Sequence, residues 1–157
     1  MTVRIAHAAV RQGEGRLVTF GLGSCIAIAV HDARARVGGL AHILLPDPAM
    51  TRAGDDPAKT PATAVPHLLA QMRAAGAQGP FTAKIAGGAS LFSSVLTPRG
   101  AGGMGERNIV ATRAALAASA VPLVAEEVGG TVGRSVFFDV ATGAMRVRSL
   151  REGERVL

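Results

Sequence analysis

The chain of 157 residues contains one cysteine, Cys25, which ends the run Thr19-Phe20-Gly21-Leu22-Gly23-Ser24-Cys25, and His42 follows seventeen residues later. A free thiol titrates near ~8.5 and is mostly protonated at neutral pH; a nearby imidazolium lowers that value. A cysteine with a histidine partner is an activated nucleophile for a carbonyl carbon, and the ring can then protonate a departing amine. Glycine at position 23 lets the N–H groups around Gly23 and Ser24 approach a developing oxyanion. Thr19, beyond the turn, offers a hydroxyl or carbonyl that orients the imidazole as a third member.

Whether sulfur and ring meet depends on two apolar runs, Cys25 to His31 and Val37 to Leu45, joined through Asp32-Ala33-Arg34-Ala35. Both read as strands, so they form a hairpin. A turn centred between Ala33 and Arg34 sets Cys25 directly opposite His42, with Cβ atoms about 4.5–5.5 Å apart. Shifting the centre by one residue makes the pair diagonal but keeps it on one face. An odd-length loop without a bulge sends the two side chains to opposite faces. Spacing permits the contact and does not compel it: a lone cysteine also serves as a small buried hydrophobe, and a histidine among Leu40, Ala41, Ile43 and Leu44 as a satisfied core residue.

Around this hairpin the pattern predicts strands at Arg16–Phe20, Thr82–Ala86, Leu123–Val128, Arg134–Asp139 and Ala144–Leu150. Val65, Leu68, Leu69 and Met72 form one helical stripe, with Pro61 and Pro66 near its first turn and Gly76 at its end. A second helix is expected from Glu106 to Ser119, with Ile109, Leu116 and Ala120 inward and Pro122 beyond its end. Asp47–Pro61 reads as a mobile polar loop and residues 97–105 as a flexible glycine-rich one. The expectation is one α+β domain spanning residues 1–157, with mixed, largely antiparallel sheets and helices packed outside.

Composition narrows the function. The net charge is +6, from 15 Arg and 2 Lys against 11 acids, but the arginines are scattered. With five Phe and neither Trp nor Tyr, stacking platforms for bases are nearly absent, and Phe20, Phe92 and Phe137 lie in apolar contexts that predict burial. Nucleic acid is therefore a poor fit. No apolar run approaches the ~20 residues of a membrane span, and the first residues do not read as a secretory signal. A cytoplasmic protein without membrane insertion is expected. His7, His31 and His67 lack the spacing of a zinc site, so neither metal nor cofactor is predicted. Gly102 to Asn108 opens a helix but lacks the ending of a P-loop, and reads as a structural turn.

With these segments in place, the chain resembles the CheD family, the chemoreceptor glutamine deamidases of bacterial and archaeal chemotaxis. The resemblance rests on Thr19–Cys25, Gly38–Pro46, Lys84–Ala89, Gly105–Asn108 and Val128–Arg134, which occur in family order ahead of Val136–Phe138 and Thr142-Gly143. It implies that Cys25 is the nucleophile, His42 the catalytic imidazole and Thr19 the orienting residue. It implies hydrolysis of glutamine side-chain amides on methyl-accepting chemotaxis receptors through a thioester, and an α/β sandwich similar to the catalytic domain of cytotoxic necrotizing factors. A CheC-like phosphatase is an implied partner, and a non-catalytic adaptor is the alternative. One departure stands out: the family's Tyr-x-Asp-x-Ala pattern is replaced by Thr60-Pro61-Ala62-Thr63-Ala64.

Overall fold

The computed structural model describes residues 1–91 and 102–157. Among these residues nine strands and two α-helices follow in the order β1 (Ala8–Gln12), β2 (Arg16–Leu22), β3 (Ile26–Asp32), β4 (Val37–Ile43), α1 (Pro61–Ala74), β5 (Thr82–Gly87), α2 (Met104–Ala118), β6 (Leu123–Val128), β7 (Arg134–Asp139), β8 (Met145–Ser149) and β9 (Gly153–Val156). They build a five-stranded sheet, β1-β4-β3-β5-β6, and a four-stranded sheet, β2-β7-β8-β9. Among the described residues only strands β5 and β6 pair parallel, with α2 as their crossover; the other strand pairs are antiparallel. This is the expected α+β sandwich.

The period of two along β3 explains the layering. Ile26, Ile28 and Val30 pack with Leu68 and Met72 of α1 and Ile109 and Leu116 of α2. The alternate residues Ala27 and Ala29 join Leu17, Leu22, Val136, Phe138 and Met145 of the smaller sheet. The larger sheet is thus covered by helices on one face and by the second sheet on the other. Small side chains are required in the middle layer: a Cβ at Gly39 would lie 2.8 Å from Leu68 Cδ1.

Several expectations are corrected. The 47–61 segment is not a structureless loop but is held by hydrogen bonds. Asp47 and Asp56 side chains accept from the N–H groups of Ala49 and Ala58, closing two single 3₁₀ turns, and the Lys59 carbonyl accepts from both Leu44 and Leu45. α1 begins at Pro61, so Pro66 lies inside the helix rather than in its first turn. Ala120 lies beyond α2 at φ 53° and is exposed, because Val121 N–H folds back onto the Leu116 carbonyl to end the helix. Phe20 is exposed, since it sits on the face of β2 opposite to Leu17 and Thr19; Phe137 is half-buried. Phe92 and most of the glycine-rich 97–105 stretch lie outside the described residues, and from Met104 the chain is helical. Strands β1 and β9 carry no alternation that marks them in the sequence.

Candidate active site

The β3–β4 turn fixes the register. Asp32 Oδ1 accepts from the N–H groups of Arg34 and Ala35, and Arg36 takes φ 51°. Asp32 consequently pairs with Val37, and Ala27, not Cys25, stands opposite His42. The turn is centred one residue later than direct opposition requires, so Cys25 and His42 lie diagonally. They share a face: Cys25 belongs to the core cluster between the two sheets, and His42 faces the same way through its pairing with Ala27. Both are nearly sealed, Cys25 at 6% and His42 at 1% exposure.

Thr19 approaches His42 from the smaller sheet. Its Oγ1 lies 2.7 Å from His42 Nδ1 and 2.8 Å from the Val3 carbonyl oxygen. A threonine hydroxyl has one proton, and a carbonyl can only accept, so that proton goes to Val3. Thr19 Oγ1 must then accept from Nδ1–H, which leaves His42 Nε2 unprotonated in the neutral ring. This Nε2 is buried, and among the described residues it has no hydrogen-bond partner. A basic nitrogen inside the sandwich, with its lone pair free, is the site's most distinctive atom.

Burial acts on both groups. It pushes the His42 imidazole down to about 4 and the Cys25 thiol up, the latter opposed by the cysteine's own backbone N–H. The resting groups are therefore a thiol and a neutral imidazole, and no hydrogen bond joins Cys25 to His42 Nε2.

The turn carrying the cysteine is held by its carbonyls. Gly23 O accepts from Ala89 N–H at 2.8 Å, Ser24 O from Asn108 Nδ2 at 2.8 Å, and Cys25 O from Gly88 N–H at 2.8 Å. In a trans peptide the C=O and the following N–H point in opposite directions. The N–H groups of Ser24 and Cys25 therefore point away from the Gly88-Ala89 segment and α2. The Gly23 N–H is engaged with the Gly21 carbonyl at 3.1 Å, so Gly23 contributes conformation rather than a free donor. Glycine is required at position 87, where φ is +115° and a Cβ would collide with the Cys25 carbonyl oxygen.

Asn108, part of the helix-opening turn and of the Gly105–Asn108 block, reaches the candidate site. Its Nδ2 donates to Ser24 O and, at 3.2 Å, to Leu44 O, tying the cysteine's turn to the end of β4. Nothing in local spacing marks this role, since the contact spans 84 residues. The remaining histidines lie elsewhere. His31 contacts the Val140 carbonyl oxygen through Nε2 and His7 that of Ile5 through Nδ1; His67 lies half-buried on α1. Among the described residues no three His, Cys, Asp or Glu side chains gather as a metal site, and no helix is long and apolar enough to cross a membrane.

Comparison with known proteins identifies the family. A family model described as "CheD chemotactic sensory transduction" matches residues 44–149. The chain is 39% identical to "Chemoreceptor glutamine deamidase CheD" of Thermotoga maritima, covering 98% of this chain and 94% of that protein. It is 44% identical to "Probable chemoreceptor glutamine deamidase CheD 2" of Geobacter metallireducens, over 97% of this chain and 94% of that protein. Identity to "Probable chemoreceptor glutamine deamidase CheD" of Moorella thermoacetica is 40%, over 99% and 93%. Similarity of this extent, on a sandwich carrying the family's blocks, establishes that the chain belongs to the CheD family.

Proposed function

We propose that this chain, acting as one domain over residues 1–157, hydrolyses glutamine side-chain amides on methyl-accepting chemotaxis receptors in the cytoplasm, without metal or cofactor. The observation that carries the reading is the free, basic Nε2 of His42, held in that tautomer by Thr19. As Cys25 Sγ bonds to the carboxamide carbon, its proton passes to Nε2, and the carbonyl π pair moves onto oxygen. The N–H groups of Ser24 and Cys25 stabilise that oxyanion, on a turn kept in shape by Gly23. Collapse expels the nitrogen as ammonia, which takes the proton from Nε2 and leaves a thioester. Water then loses a proton to Nε2 as it adds to the thioester carbon; the thiol departs with that proton, and glutamate remains.

Burial cuts both ways in this sequence: it makes the neutral ring a weak acceptor for the thiol proton and, once the ring is protonated, a strong acid toward the leaving nitrogen. Mass spectrometry of a chemoreceptor's cytoplasmic fragment after incubation tests the reading: a gain of about one dalton at a glutamine is expected. Cys25→Ala should abolish it with the fold retained, and undiminished conversion by that variant would refute the mechanism. A second reading draws on the raised thiol pKa and slight exposure of Cys25: a non-catalytic adaptor for receptors or a CheC-like phosphatase, whose binding Cys25→Ala leaves unchanged.

A further inference from the structure

The outer face of the smaller sheet carries an open groove of about 760 Å³ that the chemistry above does not use. Its floor is aromatic: exposed Phe20 on β2 and half-buried Phe137 on β7 meet edge to face, with centroids 5.8 Å apart. Its rim is cationic, with Arg148 at the end of β8 and Arg151 just beyond. Arg134, also in the wall, is neutralised by Glu127 at 3.2 Å. Arg148 and Arg151 have no carboxylate within ion-pair distance among the described residues, and residues 92–101 contain neither Asp nor Glu. An aromatic floor kept in water beside two uncompensated guanidinium groups calls for a partner that is apolar and acidic.

The groove also has a direction. Gly21, near the end of β2, lines it, and β2 leads through Gly23 and Ser24 to Cys25, while Leu91, in its wall, lies over Gly23. Cys25 itself is not in the groove; the two are joined through this turn.

Resting on the deamidase reading, we propose that this groove docks the receptor: an amphipathic helix that seats apolar side chains on Phe20 and Phe137 and presents acidic residues to Arg148 and Arg151. Residues three and four apart on a helix form such adjoining apolar and acidic patches. The groove would then select which glutamines reach Cys25.

The test uses the full-length protein, a chemoreceptor cytoplasmic fragment, and the double variant R148E/R151E with Phe20→Ala beside it. Each altered side chain is exposed, so unfolding temperature should stay near that of the wild type. KM for the fragment should rise roughly tenfold in each, with kcat nearly unchanged, and the salt dependence of KM should flatten in R148E/R151E. Alkylation of Cys25 by iodoacetamide should be unaffected, separating docking from damage to the nucleophile. Fluorescence anisotropy of the labelled fragment on a Cys25→Ala background reads docking without turnover. Binding weakened by R148E/R151E while the wild type releases no ammonia would retain the docking surface and reject the hydrolase. Turnover with an unchanged KM in both variants would reject the docking surface and retain the hydrolase. Self-association abolished by Phe20→Ala, with fragment binding intact, would assign the groove to a second copy of this chain and overturn the proposal.

Discussion

Thr19 Oγ1 lies 2.7 Å from His42 Nδ1, and the two residues belong to different sheets, β2 in the smaller and β4 in the larger. The bond defines which ring nitrogen is basic. Thr19→Val removes the acceptor, leaving Nδ1–H and the Val3 carbonyl without their partner, so the ring loses both tautomer and aim. We expect kcat to fall on the order of 100-fold, as misplacement of a reacting group does. Thr19→Ser keeps the hydroxyl and should recover most of that loss. The comparison of the two in steady-state ammonia release checks the assignment.

The thiol should behave as a shielded one. Burial raises its pKa, so iodoacetamide alkylation of the resting protein should be slow at neutral pH and accelerate on the alkaline side of a free cysteine's midpoint. A rate profile with a plateau beginning below pH 7 would instead reveal a resting thiolate.

Asn108→Leu tests the tie between the two reacting strands. It deletes the donor to Ser24 O and Leu44 O while nearly preserving volume. Stability should drop by about 1 kcal/mol for the part-buried acceptors left without this donor. Activity should fall further than stability explains, because the turn bearing Cys25 loses its hold. Denaturant unfolding read beside kcat separates the two effects.

Gly87→Ala should be among the most damaging single-methyl additions. The residue sits at φ +115°, and the new Cβ meets the Cys25 carbonyl oxygen. Backbone strain of this kind is worth about 1–3 kcal/mol before the collision is counted. Thermal unfolding of the variant, with ammonia release measured below its midpoint, provides the check.

Acid should unfold the protein earlier than its carboxylates alone dictate. His42 falls to about 4 on folding from an ordinary value near 6.5, so the unfolded chain binds the extra proton first. Stability is thus complete above the unfolded value and declines as pH drops from about 6.5 toward 4, by about 3 kcal/mol in total. Asp32 acts in the same direction at lower pH. Burial disfavours its charge, but four backbone N–H groups, from Arg34, Ala35, Gln78 and Gly79, outweigh that and hold its pKa down. Protonating it removes that stabilisation. Denaturant midpoints measured from pH 7 to pH 4 should fall steadily in the wild type, and less in His42→Gln.

The shared face of the candidate site's Cys25 and His42 was legible because strands obey a period of two. That rule puts Cys25 and His42 on one face for either turn centre, and only the choice between direct and diagonal depended on Asp32 gripping the turn at Arg34 and Ala35. α1 was legible from Val65, Leu68, Leu69 and Met72, all buried as the stripe requires. What the sequence hid is what arises across long separations. Val3 taking the Thr19 proton, and Asn108 reaching Ser24 and Leu44, leave no local trace. Phe20 was misjudged because apolar neighbours suggest burial, while a strand's pleat decides it. The 47–61 segment looked loose because its anchors are single aspartate caps rather than an apolar stripe.

The bracket that Asn108 makes between Ser24 and Leu44 has a mechanical outcome. On the proposed mechanism, a helix that donates no reacting atom holds the turn bearing the sulfur to the end of the strand bearing the ring, so heat, pressure or a distant substitution that lifts α2 would disarm the proposed chemistry while both groups stay chemically whole.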